Sequence, residues 1–267
     1  MIRLGIIGCG NMGGAMLRQM LKAGVFSPGE VLVSDRNQKL LDQLREELGV
    51  QCTAENRKAA AAPALLLAVK PQYIRQVTEE IRGAVRADTL ILSIVTGCDL
   101  LFLSQELGLP DGHIVRVMPN TPALVGEGVL AACRGKHVTD GEWQFALRLL
   151  SCMGLAEEVP EEMMDAVTGL SGSSPAFVFL FLEALADAGV RAGLPRPLSQ
   201  RFAAQTILGS ARLALETSLH PGQLKDMVTS PAGTTIEGVA ALERDGFRYA
   251  VIDAVDAAVT RAKNMKK

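Results

Sequence analysis

Hydrophobic residues in the first 160 positions form short continuous runs, separated by segments whose apolar residues recur at helical spacing. Each run predicts a strand, and the runs are residues 3–7, 31–34, 65–69, 89–94 and 114–118, with 129–132 and 156–159 as further strands at the far edge. Helical spacing predicts helices over residues 11–23 and 39–48. Strands and helices that alternate in this way indicate a parallel, doubly wound sheet with right-handed crossovers.

The strand pattern stops after Pro160, and every later segment has the spacing of a helix. The predicted helices are residues 162–170, 174–192, 198–217, 234–244 and 247–263. The sequence therefore predicts an α/β domain over residues 1–160 and an all-α domain over residues 161–267.

One of these helices, the one from Ser174, is apolar nearly all round. Residues 177–182 are consecutive hydrophobic side chains, so more than one face of the helix must be buried. A five-helix domain has little interior, which favours burial of one face against a second subunit. The alternative is a central core helix within one subunit.

Composition limits the partners. The chain has 267 residues, 48% of them hydrophobic, and a net charge of −2, which argues against nucleic acid or an anionic membrane and favours a small-molecule ligand. The apolar run 175–182 is interrupted by Glu183 and Asp187 long before the ~18 residues that a membrane span needs.

The five cysteines include no Cys-x-x-Cys pair, and no signal peptide precedes the first apolar run, which predicts reduced thiols and a cytoplasmic location. The three histidines are too scattered to predict a metal site.

The turn after the first predicted strand matches the dinucleotide-binding pattern G-x-G-x-x-G. Gly8 allows the tight turn, Gly10 lets the backbone approach a pyrophosphate, and Gly13 lets the following helix pack on the sheet. A strand before the motif and a helix after it are the context that the pattern requires. Residues 1–160 are therefore predicted to be a Rossmann-like dinucleotide-binding domain; the alternative is a glycine-rich turn with no ligand.

The end of the second predicted strand gives a divided signal on the cofactor. Asp35 stands where an acid binds the ribose 2′-hydroxyl of NAD, whereas Ser34 and Arg36 suit the 2′-phosphate of NADP. Asp35 has a further possible role, as a cap of the next helix.

The segment Val228 to Glu237 predicts a helix start that suits an anion. Thr234 and Glu237 fit a capping box, and apolar residues follow at helical spacing. The first N–H groups of a helix lack intrahelical partners and lie at the positive end of its dipole, so they suit a carboxylate. A plain capped helix is the alternative.

The sequence contains no recognisable Ser-His-Asp set, carboxylate pair or Cys-His signature. Reduction of an imine needs none of these, because the enzyme can act by placing the imine carbon against a nicotinamide.

Several blocks together resemble the Δ1-pyrroline-5-carboxylate reductase family, in that family's order and over essentially the whole chain. They are the glycine turn with Asn11-Met12, Ala68-Val69-Lys70-Pro71, the block Arg116 to Pro122, the block Gly169 to Ala176, and Val228 to Thr235. The resemblance implies NAD(P)H-dependent reduction of the cyclic imine to L-proline, the last step of proline synthesis. It also implies a helical domain, residues 161–267, that binds substrate and interlocks in a dimer.

The resemblance also implies roles for individual residues. It assigns the pyrophosphate to Gly8, Cys9, Gly10, Asn11 and Met12, the adenosine 2′ position to Ser34 and Arg36, the adenosine to Asn56, and the nicotinamide end to Ala68, Val69, Lys70, Pro71 and Asn120. Lys70 has the alternative of merely closing a strand, and Asn120 that of forming a turn. We expect NADPH to be preferred over NADH.

Ser230, Gly233, Thr234 and Thr235 are implied to hold the substrate, with the Thr235 hydroxyl on its ring nitrogen as the catalytic contact. Three positions depart from the family pattern. Ser174 and Ala232 replace glycines found in many members, and Met227 stands where some members have asparagine.

Two other functions compete. A β-hydroxyacid dehydrogenase shares the glycine turn and a helical second domain, but it needs a lysine as proton acceptor, and Lys225 and Lys263 are poor candidates. A non-catalytic NADP(H)-binding regulator would not need the hydroxyl-rich helix start.

Overall fold

The computed structural model describes residues 1–265, and within them eight strands form one sheet. The strands are β1 Leu4–Ile7, β2 Val31–Ser34, β3 Gln51–Thr53, β4 Ala64–Leu67, β5 Leu90–Ser93, β6 His113–Pro119, β7 Gly128–Arg134 and β8 Gly154–Glu158. The α-helices between them are α1 Asn11–Lys22, α2 Gln38–Leu48, α3 Asn56–Ala60, α4 Ile74–Ile81, α5 Leu100–Leu107 and α6 Asp140–Ser151. The predicted doubly wound α/β architecture is confirmed.

The strand order is β3-β2-β1-β4-β5-β6-β7-β8. The chain leaves β1 toward β2 on one side and returns to β4 on the other, so the order reverses beside β1. Ligands of doubly wound sheets bind where the order reverses, at the carboxyl ends of the strands. This geometry brings the glycine turn after β1 to the ligand-binding edge.

One strand pair departs from the parallel arrangement. β7 runs antiparallel to β6, with Val117 opposite Ala132 in the register. The connection between them is a short 3₁₀ turn, Thr121–Val125, whereas a parallel crossover needs a dozen or more residues.

Apolar side chains cover both faces of the sheet. Ile6 and Leu66 belong to the core cluster on one face, while Ile7 and Leu67 belong to the cluster on the other. A strand buried on both faces has a continuous apolar sequence, which is the pattern seen in the first domain. Strand β3 lacks that pattern because it lies at the sheet edge and has no buried residue.

The second half of the chain is helical, as predicted. Its α-helices are α7 Met164–Val167, α8 Ser174–Arg191, α9 Arg196–Thr217, α10 Pro221–Val228, α11 Thr234–Arg244 and α12 Phe247–Lys263. The sequence pattern did not predict α10, whose N-cap is the imidazole of His220. The helix predicted over 162–170 is instead a 3₁₀ turn, the short α7 and a π-helical turn at Thr168–Gly172.

Internal contacts divide the chain into two units, Met1–Gly172 with Ala258–Lys267, and Ser173–Ala257. The boundary that we predicted near Pro160 stays a prediction. In the internal contacts, residues 161–172 belong to the first unit. In the second unit, α8 packs on α9, where the Ser199 hydroxyl donates to the Ala186 carbonyl at 2.7 Å.

Much of α8 is exposed in the single chain, including Phe179 at 62% and Leu180 at 67%. Within the helical segment 161–191 one window of 18 residues has a mean hydropathy of 1.4, so the segment is long and apolar enough to cross a membrane by length and composition alone. One such helix is weak evidence for a span. An apolar helix surface of this size is also what an interface with another subunit requires.

Candidate functional site

The turn after β1 accepts only glycine at its first position. Gly8 has φ of +87°, and a Cβ placed there would lie 2.9 Å from the carbonyl carbon of Ala68. The Gly8 N–H donates to Ser34 O at 2.9 Å, which ties the turn to the end of β2. The prediction that Gly8 permits a tight turn is confirmed.

Gly10 leaves room for a ligand at the start of α1. It is the N-cap of α1, and a Cβ built on it would meet no atom within 4 Å, so this backbone faces open space. The N–H groups of Asn11 and Met12 lie in the first turn of α1, where they have no intrahelical acceptor. A pyrophosphate fits this helix start by charge and by shape.

Two adjoining cavities form a cleft along the carboxyl edge of the sheet. The first, of about 520 Å³, extends from the glycine turn to Ser34, Arg36, Asn56 and Tyr73. The second, of about 540 Å³, extends from Asn11 and Met12 to residues at the ends of β5 and β6, namely Ile94, Thr96, Met118 and Pro119. Gly10, Ala68, Val69 and Lys70 line both cavities. The two cavities meet at Gly10, as the two halves of a dinucleotide meet at its pyrophosphate.

Asp35 is engaged with the backbone. One of its carboxylate oxygens accepts the N–H of Cys9 at 2.8 Å, and the other accepts the N–H of Asn37 at 2.9 Å. The Asn37 side chain, not Asp35, caps α2 by accepting the N–H of Leu40. Asp35 therefore braces the glycine turn against the end of β2.

Cys9, included among the predicted pyrophosphate residues, turns its thiol into the core, where it is 1% exposed. Burial raises the pKa of this thiol to about 12. Its N–H is bound by Asp35, so Cys9 supports the turn from behind the cleft.

Ser34 and Asn56 are linked by a buried hydrogen bond. The Ser34 hydroxyl donates to Asn56 Oδ1 at 2.8 Å, and Asn56 Nδ2 donates to Glu80 Oε2 at 2.8 Å. Ser34 is 0% exposed, whereas Arg36 is on the surface of the cleft. The Ser34 hydroxyl thus holds the Asn56 amide in place at the wall of the cleft.

Lys70 and Pro71 follow β4, at the shared wall of the two cavities. Lys70 is exposed and is followed by the 3₁₀ turn Pro71–Tyr73. Tyr73 lies beside Arg36 in the first cavity. Tyr73, Ile94 and Thr96 also line the cleft, although no motif in the sequence marks them. Their position just after the carboxyl ends of β4 and β5 is the signal that could have found them.

Asn120 is buried and lies outside the lining of both cavities. Its Oδ1 accepts the N–H of Val129 at 2.9 Å, and its Nδ2 donates to the Ser171 carbonyl at 3.0 Å. The side chain ties the end of β6 to β7 and to the π-helical turn. The cofactor contact predicted for Asn120 stays a prediction.

In the second unit, the segment before α11 is a tight turn. The Gly233 N–H donates to Ser230 O at 3.0 Å across Pro231 and Ala232. Ala232 has φ of 54°, in the left-handed region that favours glycine, which is the residue that the family resemblance implies at this position. A Cβ on Gly233 would lie 2.3 Å from the Ser230 hydroxyl, so a larger residue there would push that hydroxyl out of its place.

Gly233, and not Thr234, is the N-cap of α11. The capping box predicted between Thr234 and Glu237 is therefore wrong, because Gly233 already has the extended backbone of a cap and Thr234 is the first helical residue. The N–H groups of Thr234 and Thr235 lie in the first turn, free of intrahelical acceptors. Among the described residues the Thr235 hydroxyl has no hydrogen-bond partner, and its residue is half-buried.

The other two departures from the resembled pattern lie on helices of the second unit. Ser174 is the first residue of α8, and Met227, 70% exposed, lies near the end of α10. Within residues 1–265 no cluster of three or more His, Cys, Asp or Glu residues could hold a metal ion.

Nicotinamide-dependent oxidoreductases typically have a doubly wound sheet with a glycine turn where the strand order reverses and a cleft along the carboxyl edge. This chain has all three features. A family model described as NADP oxidoreductase, coenzyme F420-dependent, matches residues 3–97, and one described as pyrroline-5-carboxylate reductase dimerisation matches residues 161–265. The pyrroline-5-carboxylate reductase of Synechocystis is 46% identical over 267 residues, which are 100% of this chain and 99% of that protein.

Solved structures agree. The Coxiella burnetii pyrroline-5-carboxylate reductase superposes with a TM-score of 0.92 at 35% identity and covers 100% of this chain and 99% of that chain. The Plasmodium falciparum pyrroline carboxylate reductase with NADP bound gives 0.90 at 33% identity, covering 100% and 98%. The chain belongs to the pyrroline-5-carboxylate reductase family, and the predicted family is confirmed.

Proposed function

We propose that this chain catalyses the NAD(P)H-dependent reduction of 1-pyrroline-5-carboxylate to L-proline, the last step of proline biosynthesis. The observation that carries the proposal is the full-length match to reductases of that name, at 46% identity for the Synechocystis protein. The glycine turn and the cleft beside it support the same assignment.

The cofactor occupies the cleft of the first unit in this proposal. The N–H groups that follow Gly10 hold the pyrophosphate, and the cavity lined by Arg36 and Asn56 takes the adenosine half. The cavity that reaches Thr96 and Met118 takes the nicotinamide. When bound, the reduced nicotinamide supplies the hydride that the imine carbon accepts.

The substrate carboxylate binds the start of α11. The N–H groups of Thr234 and Thr235 lie at the positive end of the helix dipole and donate to the carboxylate. The Ser230 hydroxyl is a further donor. Glycine at position 233 leaves the Ser230 hydroxyl in place as that donor, because a Cβ there would lie 2.3 Å from it.

The Thr235 hydroxyl hydrogen-bonds the ring nitrogen. Its lack of a partner among the described residues leaves it available for this bond. A threonine hydroxyl is too weak an acid to supply a full proton, so the nitrogen is already protonated or takes its proton through water. The protein acts chiefly by holding the imine in place, which alone removes a large part of a barrier.

We further propose that NADPH is preferred over NADH. Arg36 lines the adenosine cavity, and the Plasmodium falciparum relative was solved with NADP bound. The engagement of Asp35 with Cys9 and Asn37 also supports NADPH, because the carboxylate is not left free for a ribose 2′-hydroxyl.

The working unit is proposed to be a homodimer, or a larger assembly of dimers, joined by the C-terminal helices. The match to a dimerisation model and the exposed apolar surface of α8 support this. A cytoplasmic location fits the five free cysteine thiols. Neither a nucleic acid nor a membrane is proposed as a partner.

The test is the decay of NADPH absorbance in the presence of pyrroline-5-carboxylate, repeated with NADH. We expect turnover with both cofactors and a higher kcat/KM with NADPH, by about tenfold, the worth of one charge-assisted contact. Absence of turnover with either cofactor, in protein that is folded by circular dichroism, would overturn the proposed activity. Turnover with equal kcat/KM would overturn only the cofactor preference.

A further inference from the structure

Tyr73 and Arg36 lie together at the rim of the adenosine cavity. The guanidinium carbon of Arg36 is 5.6 Å from the centroid of the Tyr73 ring, and both residues line the same cavity. A guanidinium within about 6 Å of an aromatic face is attracted by the negative face of the ring. The contact joins the end of β2 to the turn after β4.

The charge of Arg36 is available to a ligand. Within residues 1–265 Arg36 forms no ion pair, whereas Arg3, Arg18 and other arginines of the same unit are paired with carboxylates. The adjacent Asp35 has both carboxylate oxygens on backbone N–H groups. The ring of Tyr73 is therefore the partner that orients this guanidinium.

Tyr73 is well placed to act as a fixed support. It ends the 3₁₀ turn Pro71–Tyr73, and its N–H donates to the Lys70 carbonyl at 2.9 Å. The next residue, Ile74, begins α4 and is completely buried. The backbone under the ring is thus anchored, although the side chain itself remains half-exposed.

We propose that Tyr73 is a positioning residue for Arg36, and that its ring presets the guanidinium to receive a phosphate on the adenosine 2′ carbon. The inference rests on the proposed assignment of Arg36 to that phosphate. An exposed arginine loses side-chain freedom when it binds a ligand, and a support that already holds it reduces this cost. Tyr73 thereby contributes to the choice of NADPH over NADH.

Two substitutions test the role of the ring. Tyr73→Leu removes the aromatic face and keeps apolar bulk, while Tyr73→Phe keeps the face and removes only the hydroxyl. We expect Tyr73→Leu to raise the KM for NADPH by about three- to fivefold, the worth of an exposed cation–π contact, with a much smaller change for NADH. Tyr73→Phe should keep the wild-type ratio of the two KM values.

Inhibition by adenosine fragments provides a second readout. Tyr73→Leu should weaken inhibition by adenosine 2′,5′-bisphosphate and leave inhibition by AMP nearly the same, because AMP lacks the 2′-phosphate. If Tyr73→Leu weakens inhibition by both compounds equally, the proposal is overturned, and the ring instead contacts the adenine or supports the fold. An unchanged response to both inhibitors would overturn it too.

Arg36→Ala separates this inference from the assignment on which it rests. If Arg36→Ala raises the KM for NADPH and spares that for NADH, the 2′-phosphate role holds, and Tyr73→Leu in that background should change the ratio no further. If Arg36→Ala affects both cofactors equally, the assignment of Arg36 fails. If Arg36→Ala is selective but Tyr73→Leu is not, only the positioning role fails.

Discussion

The carboxylate of Asp35 accepts the backbone N–H of Cys9 at 2.8 Å, so the residue at the end of β2 holds the second residue of the glycine turn. The bond spans 26 positions of sequence and joins two loops that border the first cavity of the cleft. It gives Asp35 a role in the shape of this cleft that does not depend on contact with a ribose.

Asp35→Asn should weaken the binding of NADPH and NADH to a similar extent. An asparagine offers one acceptor and one N–H₂ group, so one of the two backbone donors, Cys9 or Asn37, loses its partner. We expect the KM values for NADPH and NADH to rise by similar factors, and the unfolding free energy to fall by about 1–3 kcal/mol. Steady-state kinetics and urea denaturation measure the two effects.

The control is Asp42→Asn on α2, where the carboxylate is half-exposed and paired with Arg45 at the surface. This exchange should leave both KM values unchanged. A selective rise of the NADH KM in Asp35→Asn would instead place the Asp35 carboxylate on the ribose 2′-hydroxyl.

Thr235→Val, nearly isosteric, should lower kcat/KM for the imine by roughly 10² or more if the hydroxyl bond to nitrogen strengthens in the transition state. Thr235→Ser restores the hydroxyl and should keep much of the activity. The measurement is the initial rate of NADPH oxidation as a function of imine concentration. Wild-type rates in Thr235→Val would mean that another group holds the nitrogen.

Substitution of Ala232 should show the strain of its backbone. A β-branched side chain is poorly tolerated at φ of 54°, so Ala232→Val should destabilise the turn by about 1–2 kcal/mol and raise the KM for the imine. Ala232→Gly is the matched control, because glycine adopts this conformation freely, and it should keep activity and thermal stability. Equal stability of the valine and glycine variants would show that the turn is not strained in solution.

Exposed leucines of similar accessibility test the subunit interface. Leu180 on α8 and Leu101 on α5 are 67% and 65% exposed in the single chain. We expect Leu180→Asp to yield monomers, because a carboxylate buried in an apolar interface is costly, and Leu101→Asp to remain oligomeric. Sedimentation at micromolar concentration measures the mass. A Leu180→Asp protein of unchanged mass would remove this face of α8 from the interface.

Glu142 should make stability depend on pH. Burial raises the pKa of its carboxyl, but bonds from the Thr139 N–H at 2.8 Å and hydroxyl at 2.7 Å and a contact with His113 Nδ1 at 2.7 Å outweigh it, so the pKa lies below the ordinary 4.5. A lowered pKa means that the ionised carboxylate stabilises the fold above pH 4.5, and that this contribution is lost as the pH falls through the folded-state value.

Glu142→Gln should therefore have a lower Tm than the wild type at pH 7, and the difference should shrink as the pH falls below about 4.5. Thermal unfolding across this range is the measurement. Glu46→Gln, on the exposed side of α2, is the control and should show no such convergence. A Tm difference that stays constant down to pH 3 would contradict the assigned role of the carboxylate.

Local pattern alone determined much of this protein. Strands β1, β2, β4 and β5 are continuous apolar runs because both faces of the sheet are covered. Helix α11 begins at Thr234, as the spacing of its apolar residues predicts. The glycine turn was equally visible, since Gly8 must adopt positive φ and Gly10 must leave space for a ligand. These features depend on residues close together in sequence.

Tertiary structure decided the features that depend on distant residues. Asp35 could bind a ribose, cap a helix or brace a turn, and only the proximity of Cys9 selected the third. The Ser34–Asn56 hydrogen bond, the antiparallel β7 and the pairing of Arg36 with Tyr73 likewise need strands and loops to be brought together by the sheet. A hydrogen bond or a ring contact forms between atoms a few ångströms apart, and sequence periodicity does not report which distant atoms the fold places at that distance.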